Sequence, residues 1–226
     1  MTTTLAIETS TDACCIGLRH QDRLASRVIV EARVHARVLM PEIRGALEEL
    51  DCQLSDIGRI AFGKGPGSFT GVRIAVALAQ GIASGLNVPV SGISSLRVIA
   101  QSAFNADPSV DRISVLQDAR LGEVYFGNYQ LDDAGLAMPL APDALLTPEQ
   151  AAKQLLSTAT GSALDVFERL KSAVVSANVR SLPGVLPDPL ALLMLAERAD
   201  VAWSRASEAQ ALYLRDKVAQ KMSERG

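Results

Sequence analysis

Residues 63–73 read GKGPGSFTGVR. A strand-like run, IGRIAF at 57–62, leads into this turn, and a long apolar helix opens from it. Strand, glycine turn and helix N-terminus make a common phosphate cradle, because backbone N–H groups and the helix dipole point at the bound anion. The neighbouring residues argue against that use here. Between Asp56 and Asp107 there is no Asp or Glu, and the charges in the interval are Arg59, Lys64, Arg73 and Arg97. A dinucleotide site needs an acidic residue about 20 positions beyond its loop, and phosphoryl transfer needs carboxylates for Mg²⁺. Lys64 precedes the turn, whereas a P-loop closes on Gly-Lys-Ser/Thr, and Gly65, Gly67 and Gly71 miss the dinucleotide spacing by one residue. Gly65, Pro66, Gly67, Ser68, Thr70 and Gly71 therefore predict a structural turn, its glycines permitting unusual φ and Ser68 or Thr70 capping the helix.

The helix that follows, over 70–86, is apolar nearly all round. Arg73, Gln80 and Ser84 interrupt the pattern and fall with Ala77 and Gly81 along one face. Such a helix needs cover on every side. A sheet covers one face, which leaves the small residues for close approach by a second helix, either 34–50 of this chain or another subunit.

Upstream, TLAIETS (4–10), ACCIGLRH (13–20) and RLASRVIVEA (23–32) predict three antiparallel strands. Val38, Leu39, Ile43, Ala46, Leu47 and Leu50 then recur at helical spacing, with Pro41 expected to kink the helix or begin its second part. Downstream come a strand in VPVSGI (88–93) and a helix from 94 to 104, so the first lobe reads βββαβαβα. The polar stretch NADPSVDR (105–112) places a boundary near residue 106. The second lobe, 107–226, is expected to be smaller and degenerate. It holds a hairpin through ARLG, a looser segment around Pro139 and Pro142, a helix at 148–156, a strand-like region at 163–177, a helix at 189–203 and a tail that packs back on the first lobe.

With 226 residues, 48% of them hydrophobic, the chain supports one large domain or two small lobes. A net charge of −3 argues against a broad nucleic-acid face, so contact with RNA is expected to be local or through a partner. MTTTLAIETST lacks a basic and an apolar leader region, and no later run is expected to reach the roughly 20 apolar residues of a membrane span. A cytoplasmic protein is the default. Cys14, Cys15 and Cys52 lack zinc-site spacing and read as buried thiols. His20 falls in a charged turn, and His35 starts a helix with Leu39 as its i+4 neighbour, so no pair of imidazoles faces one metal. Glu8, Ser10 and Asp12 follow the first strand, where they either approach a phosphate or serve as polar turn residues.

LAIETSTDACCIGL, HARVLMPEI, GKGPGSFTGVRIAVALAQGIA, DARLGEVY and YLRDKVAQK together resemble the bacterial TsaB family, also called YeaZ, over nearly the whole chain. The resemblance implies the actin-like, sugar-kinase and Hsp70 fold, two ribonuclease-H-like lobes. It also implies a non-catalytic role beside TsaD in attaching threonylcarbamoyl to adenosine 37 of tRNAs reading codons that begin with A. TsaD carries a His-x-x-x-His metal pair, and its positions fall here on Ser95 and Ile99, so neither metal nor cofactor is expected. Family knowledge further implies pairing with a TsaD-type catalytic subunit, a TsaE-type ATPase in a larger complex, a homodimer when alone, tRNA only indirectly, and no membrane. The implied interface uses His35, Arg37, Met40 and Arg44 with Arg73, Ala77, Gln80, Gly81 and Ser84. Ala75 and Ala211 depart from the family pattern where Gly and Pro are frequent. The rival is an autonomous ATPase or kinase of the same fold, using Glu8, Ser10 and Asp118 around Mg²⁺; a metallopeptidase stands further off for want of the histidine pair.

Overall fold

The computed structural model describes residues 2–31, 35–198 and 201–215, with the backbone alone at 35 and 36. Three strands, β1 (Thr3–Glu8), β2 (Ala13–His20) and β3 (Arg23–Val30), form an antiparallel meander. Helix α1 (His35–Glu49) returns the chain to β4 (Ile57–Gly63), which lies parallel to β1. After α2 (Phe69–Leu86), β5 (Val90–Ile93) adds parallel to β4, and α3 (Ser95–Ala106) ends the unit. The sheet order is β3-β2-β1-β4-β5.

The second half repeats this plan. Strands β6 (Arg112–Asp118), β7 (Val124–Leu131) and β8 (Ala137–Pro139) form another antiparallel meander, with β9 (Ala144–Leu146) also paired to β7. Helix α4 (Pro148–Ala152) precedes β10 (Thr158–Thr160), parallel to β6. Helices α5 (Ala163–Val166) and α6 (Glu168–Ser176) lead to β11 (Arg180–Leu182), parallel to β10, and α7 (Pro189–Ala196) follows. The order β11-β10-β6-β7-β8 is that of the first sheet, reversed only by the direction of naming.

Side-chain alternation explains the layers. Leu5 and Ile7 point into a core with α1 and α2, while Ala6 between them points into a second core with α3 and α7. That second core continues into the other sheet through Ile113, Val115 and Tyr129, so one apolar interior spans both halves. Helix α7 is wedged there, with Leu192 and Leu193 fully buried. It comes so close to β2 that a Cβ at Gly17 would lie 2.9 Å from Leu193 Cδ1. The segment from 204 to 215 then crosses back: Ser204 bridges Val90, and Leu212 N donates to Lys64 O at 2.7 Å.

Three sequence expectations change. Residues 163–177, expected as strand-like, form α5 and α6, while the strands β10 and β11 on either side have three residues each, too few for alternation to register. Helix α1 runs unbroken through Pro41, whose ring is exposed on the outer face. Helix α2, at 18 residues and a mean hydropathy of 1.4, is long and apolar enough to cross a membrane by length and composition. In the fold its buried face, Ala75, Ala79 and Ala83, lies on the sheet.

Candidate functional site

Four backbone donors of the glycine turn, those of Lys64, Gly65, Ser68 and Gly71, are spent inside the fold. Lys64 N donates to Ile93 O at 2.9 Å, Ser68 N to Ser10 O at 2.7 Å, and Gly65 N to Ser95 Oγ at 3.1 Å. Ser68 is the helix cap, its Oγ accepting from Gly71 N at 3.3 Å, while Thr70 is exposed. The glycines have two different reasons. Gly65 has φ +91, a left-handed conformation that side chains resist. Gly67 and Gly71 answer to proximity: a Cβ at Gly67 would lie 2.5 Å from Ser10 O, and one at Gly71 would run into the Thr9 carbonyl oxygen. The unusual φ expected of all three holds at Gly65 alone, because the turn is pressed against the chain after β1. The peptide bond Gly65–Pro66 is cis.

Glu8 lies behind this turn, fully buried. Its carboxylate accepts from Ser10 N and, at 2.7 Å, from Ser95 Oγ, and a Cβ at Gly63 would collide with it. Burial pushes its carboxyl pKa up, against the opposing hydrogen bonds from Ser95 and Ser10. Ser95 ties Glu8 to Gly65, and Ile99 is packed in the core. Ser10 is buried, and Asp118 is engaged elsewhere, accepting from Arg120 N and Arg120 Nη1 at 2.8 Å. The burial of Glu8 and Ser10 and the pairing of Asp118 with Arg120 do not favour the Mg²⁺ arrangement of the rival kinase. Among the described residues no three His, Cys, Asp or Glu side chains could hold a metal. His20, expected to be solvated, is half-buried with Nδ1 2.8 Å from Thr3 Oγ1. Cys14 and Cys15 are buried, and burial pushes the Cys14 thiol up to about 11. Cys52 is half-buried.

The outer face of α2 is open. Arg73, Ala77, Gly81 and Ser84 are exposed, Gln80 is half-buried, and a Cβ at Gly81 would meet nothing within 4 Å. Residues 34–50 do not supply its cover: α1 packs chiefly on β2 and β3, and α2 on β4, so the helices lie side by side. On α1, Arg37 and Arg44 are exposed and Met40 is half-buried against the core; the side chain of His35 lies outside the described residues. Sequence reasoning missed the company Arg73 keeps. Its guanidinium lies 3.5 Å from the Phe69 ring centre, and its Nε donates to Tyr213 Oη at 2.9 Å, a contact across 140 positions that no local pattern signals.

Between the two sheets opens a cavity of about 450 Å³ whose polar lining includes Lys64, Ser94, Arg97, Tyr129 and Asp143. Asp143 accepts from the Tyr129 hydroxyl and from Ser94 Oγ. Burial raises the Asp143 pKa while those bonds and the charges of Lys64 and Arg97 oppose the rise. Burial and the Asp143 charge hold the Tyr129 hydroxyl well above its ordinary value. Asp143 was illegible in sequence, since it stands in the loose, proline-bearing segment before β9.

Two sheets of one repeated order, with a cleft between them, define a two-lobed α/β protein built from a duplicated plan of an antiparallel meander followed by parallel strands and helices. A family model described as TsaD, tRNA N6-adenosine threonylcarbamoyltransferase, matches residues 29–204. Curated relatives named tRNA threonylcarbamoyladenosine biosynthesis protein TsaB are 34% identical in Escherichia coli, over 96% of each chain, and 32% identical in Haemophilus influenzae, over 96% of this chain and 94% of the relative. YeaZ from Pseudomonas aeruginosa is 36% identical and superposes with a TM-score of 0.82 over 95% of this chain and all of its own. The chain belongs to the TsaB (YeaZ) family.

Proposed function

We propose that this chain acts in tRNA threonylcarbamoyladenosine biosynthesis, in the cytoplasm, as a non-catalytic subunit that docks on a TsaD-type transferase. The observation that carries this is the exposed small-residue face of α2, Arg73, Ala77, Gly81 and Ser84, on a helix whose other side is buried. Small side chains let a partner helix approach closely, and the exposed Arg37 and Arg44 of α1 extend the same surface. Without TsaD, a second copy occupies the face; in the full assembly a TsaE-type ATPase joins, and tRNA is met through the partners. The non-catalytic role is supported by Ser95 and Ile99 at the metal-histidine positions and by backbone donors of the glycine turn that serve the fold. Reconstitution with the TsaD-type and TsaE-type proteins, the enzyme that makes the threonylcarbamoyl donor, tRNA and ATP tests this. Modification is expected to require this chain, while the chain alone neither modifies tRNA nor turns over Mg-ATP. Full modification without it, or turnover by it alone, overturns the assignment.

A further inference from the structure

We propose that the docking surface on α2 extends past its small residues to an aromatic anchor, Phe69, Arg73 and Tyr213, which receives an aliphatic side chain of the TsaD-type partner. The proposal rests on the docking assignment above and adds the tail and the second lobe to that surface. Phe69 and Arg73 stand one turn apart at the start of α2, on the helical face that carries Ala77, Gly81 and Ser84. Phe69 and Tyr213 leave 47% and 49% of their surface in water, and exposed apolar area that gathers in one place marks an interaction site. Their ring centres lie 6.4 Å apart. Beside them is a notch of about 40 Å³, lined by Gly67, Phe69 and Val72, by Tyr125 of β7 and by Leu212 and Tyr213 of the tail. It has room for about three water-sized groups, the end of one aliphatic side chain.

The anchor is set before a partner arrives. The Arg73 guanidinium lies 3.5 Å from the Phe69 ring centre and 5.6 Å from that of Tyr213, with its Nε bound to Tyr213 Oη. An arginine already ordered in this way loses little rotamer freedom on docking. The tail is fixed on both sides of Tyr213: Leu212 N donates to Lys64 O at 2.7 Å, and Arg215 Nη2 donates to Ala119 O at 3.2 Å, in the turn between β6 and β7. The mount therefore reaches from the first lobe to the second. Tyrosine and arginine are enriched at the energetic centres of protein interfaces, where large side chains seat in small pockets. Nucleic acid fits less well, because a base stacks on an open ring face, and Arg73 already covers the face of Phe69.

Calorimetric titration of the TsaD-type protein into the full chain reads the affinity, with circular dichroism as the check on folding. Tyr213→Ala is expected to weaken binding at least about tenfold, the scale of a truncated hot spot. Tyr213→Phe keeps the ring and drops the bond to Arg73, and is expected to weaken it no more than about threefold. Tyr125→Ala, on the second lobe, is expected to weaken it several-fold, which keeps the test alive if Tyr213→Ala fails to fold. Ala77→Trp is the reference. If it blocks the complex while folded Tyr213→Ala and Tyr125→Ala bind like the unaltered chain, docking on α2 stands and the anchor is overturned. If Ala77→Trp and the anchor variants all bind normally, the docking assignment fails and the anchor fails with it. A Tyr213→Ala chain that keeps full affinity for the TsaD-type protein but loses affinity for tRNA would assign the rings to nucleic acid and overturn the proposal.

Discussion

Glycines of one sequence have opposite fates on substitution, and geometry sorts them. Gly71→Ala drives a methyl group into the Thr9 carbonyl oxygen, and Gly67→Val meets Ser10, so both variants are expected to lose at least about 1–3 kcal/mol. Gly81→Ala adds a methyl group to open space inside a helix and is expected to gain about 0.5–1 kcal/mol. Urea denaturation of the three variants decides the matter; equal effects at Gly71 and Gly81 would contradict the close packing of the turn. Glu8 adds a pH signature. Its folded pKa is raised by burial above the ordinary 4.5, so its contribution to stability is fully present below that value and is lost as pH rises through the folded pKa. Glu8→Gln keeps an oxygen for Ser10 N and removes the titration, so its melting temperature is expected to fall less between acidic and neutral pH. Parallel melting curves for the two proteins would show that Glu8 does not carry this burden. Sequence placed Glu8 and Ser10 in one turn; that the turn is buried depends on Gly63 and Ser95, which lie far along the chain.

At the scale of elements, the first lobe was legible because its signals are long: β2 and β3 run eight residues each between polar turns, and α2 is an 18-residue apolar run behind a glycine turn. The second lobe was legible in its β6–β7 hairpin and in the starts of α4 and α7, and not in its short strands. Strands of three residues leave no period, and β10 and β11 exist because their neighbours supply partners, not because their residues demand it. The α2 surface was half legible: helical spacing put Arg73, Ala77, Gly81 and Ser84 on one face, while the clamp of Phe69 and Tyr213 around Arg73 comes from a tail brought back by tertiary packing. The cavity wall was invisible for the same reason, since Ser94, Tyr129 and Asp143 meet only when the two sheets face each other. Leu193 fills the space beside Gly17 from α7, and Leu193→Ala is expected to cost about 2–5 kcal/mol in the same denaturation assay. A loss within the error of measurement would mean α7 is dispensable to the first sheet.

For the whole molecule, a shared interior outweighs the division into lobes. Because α7 and the core around Ile113 and Tyr129 join the two sheets, the chain is expected to unfold in one transition. Trp203, the single tryptophan, stacks on Arg59 of β4 and reports the first sheet, whereas far-ultraviolet circular dichroism reports both. Coincident denaturation curves are expected, and separated midpoints would show two independent lobes. That joined body presents the outer face of α2 to solvent, where the proposed TsaD-type subunit docks. Bulk placed at the centre of the face costs a close helix contact about 1–3 kcal/mol or more, enough to shift a micromolar complex strongly toward its parts. The most direct measurement is light scattering of Ala77→Trp and Gly81→Leu mixed with the TsaD-type protein, with circular dichroism as the check on folding. Docking through α2 gives native spectra with no complex and no self-association; native spectra with the complex retained at unchanged affinity would place the TsaD-type subunit on another surface.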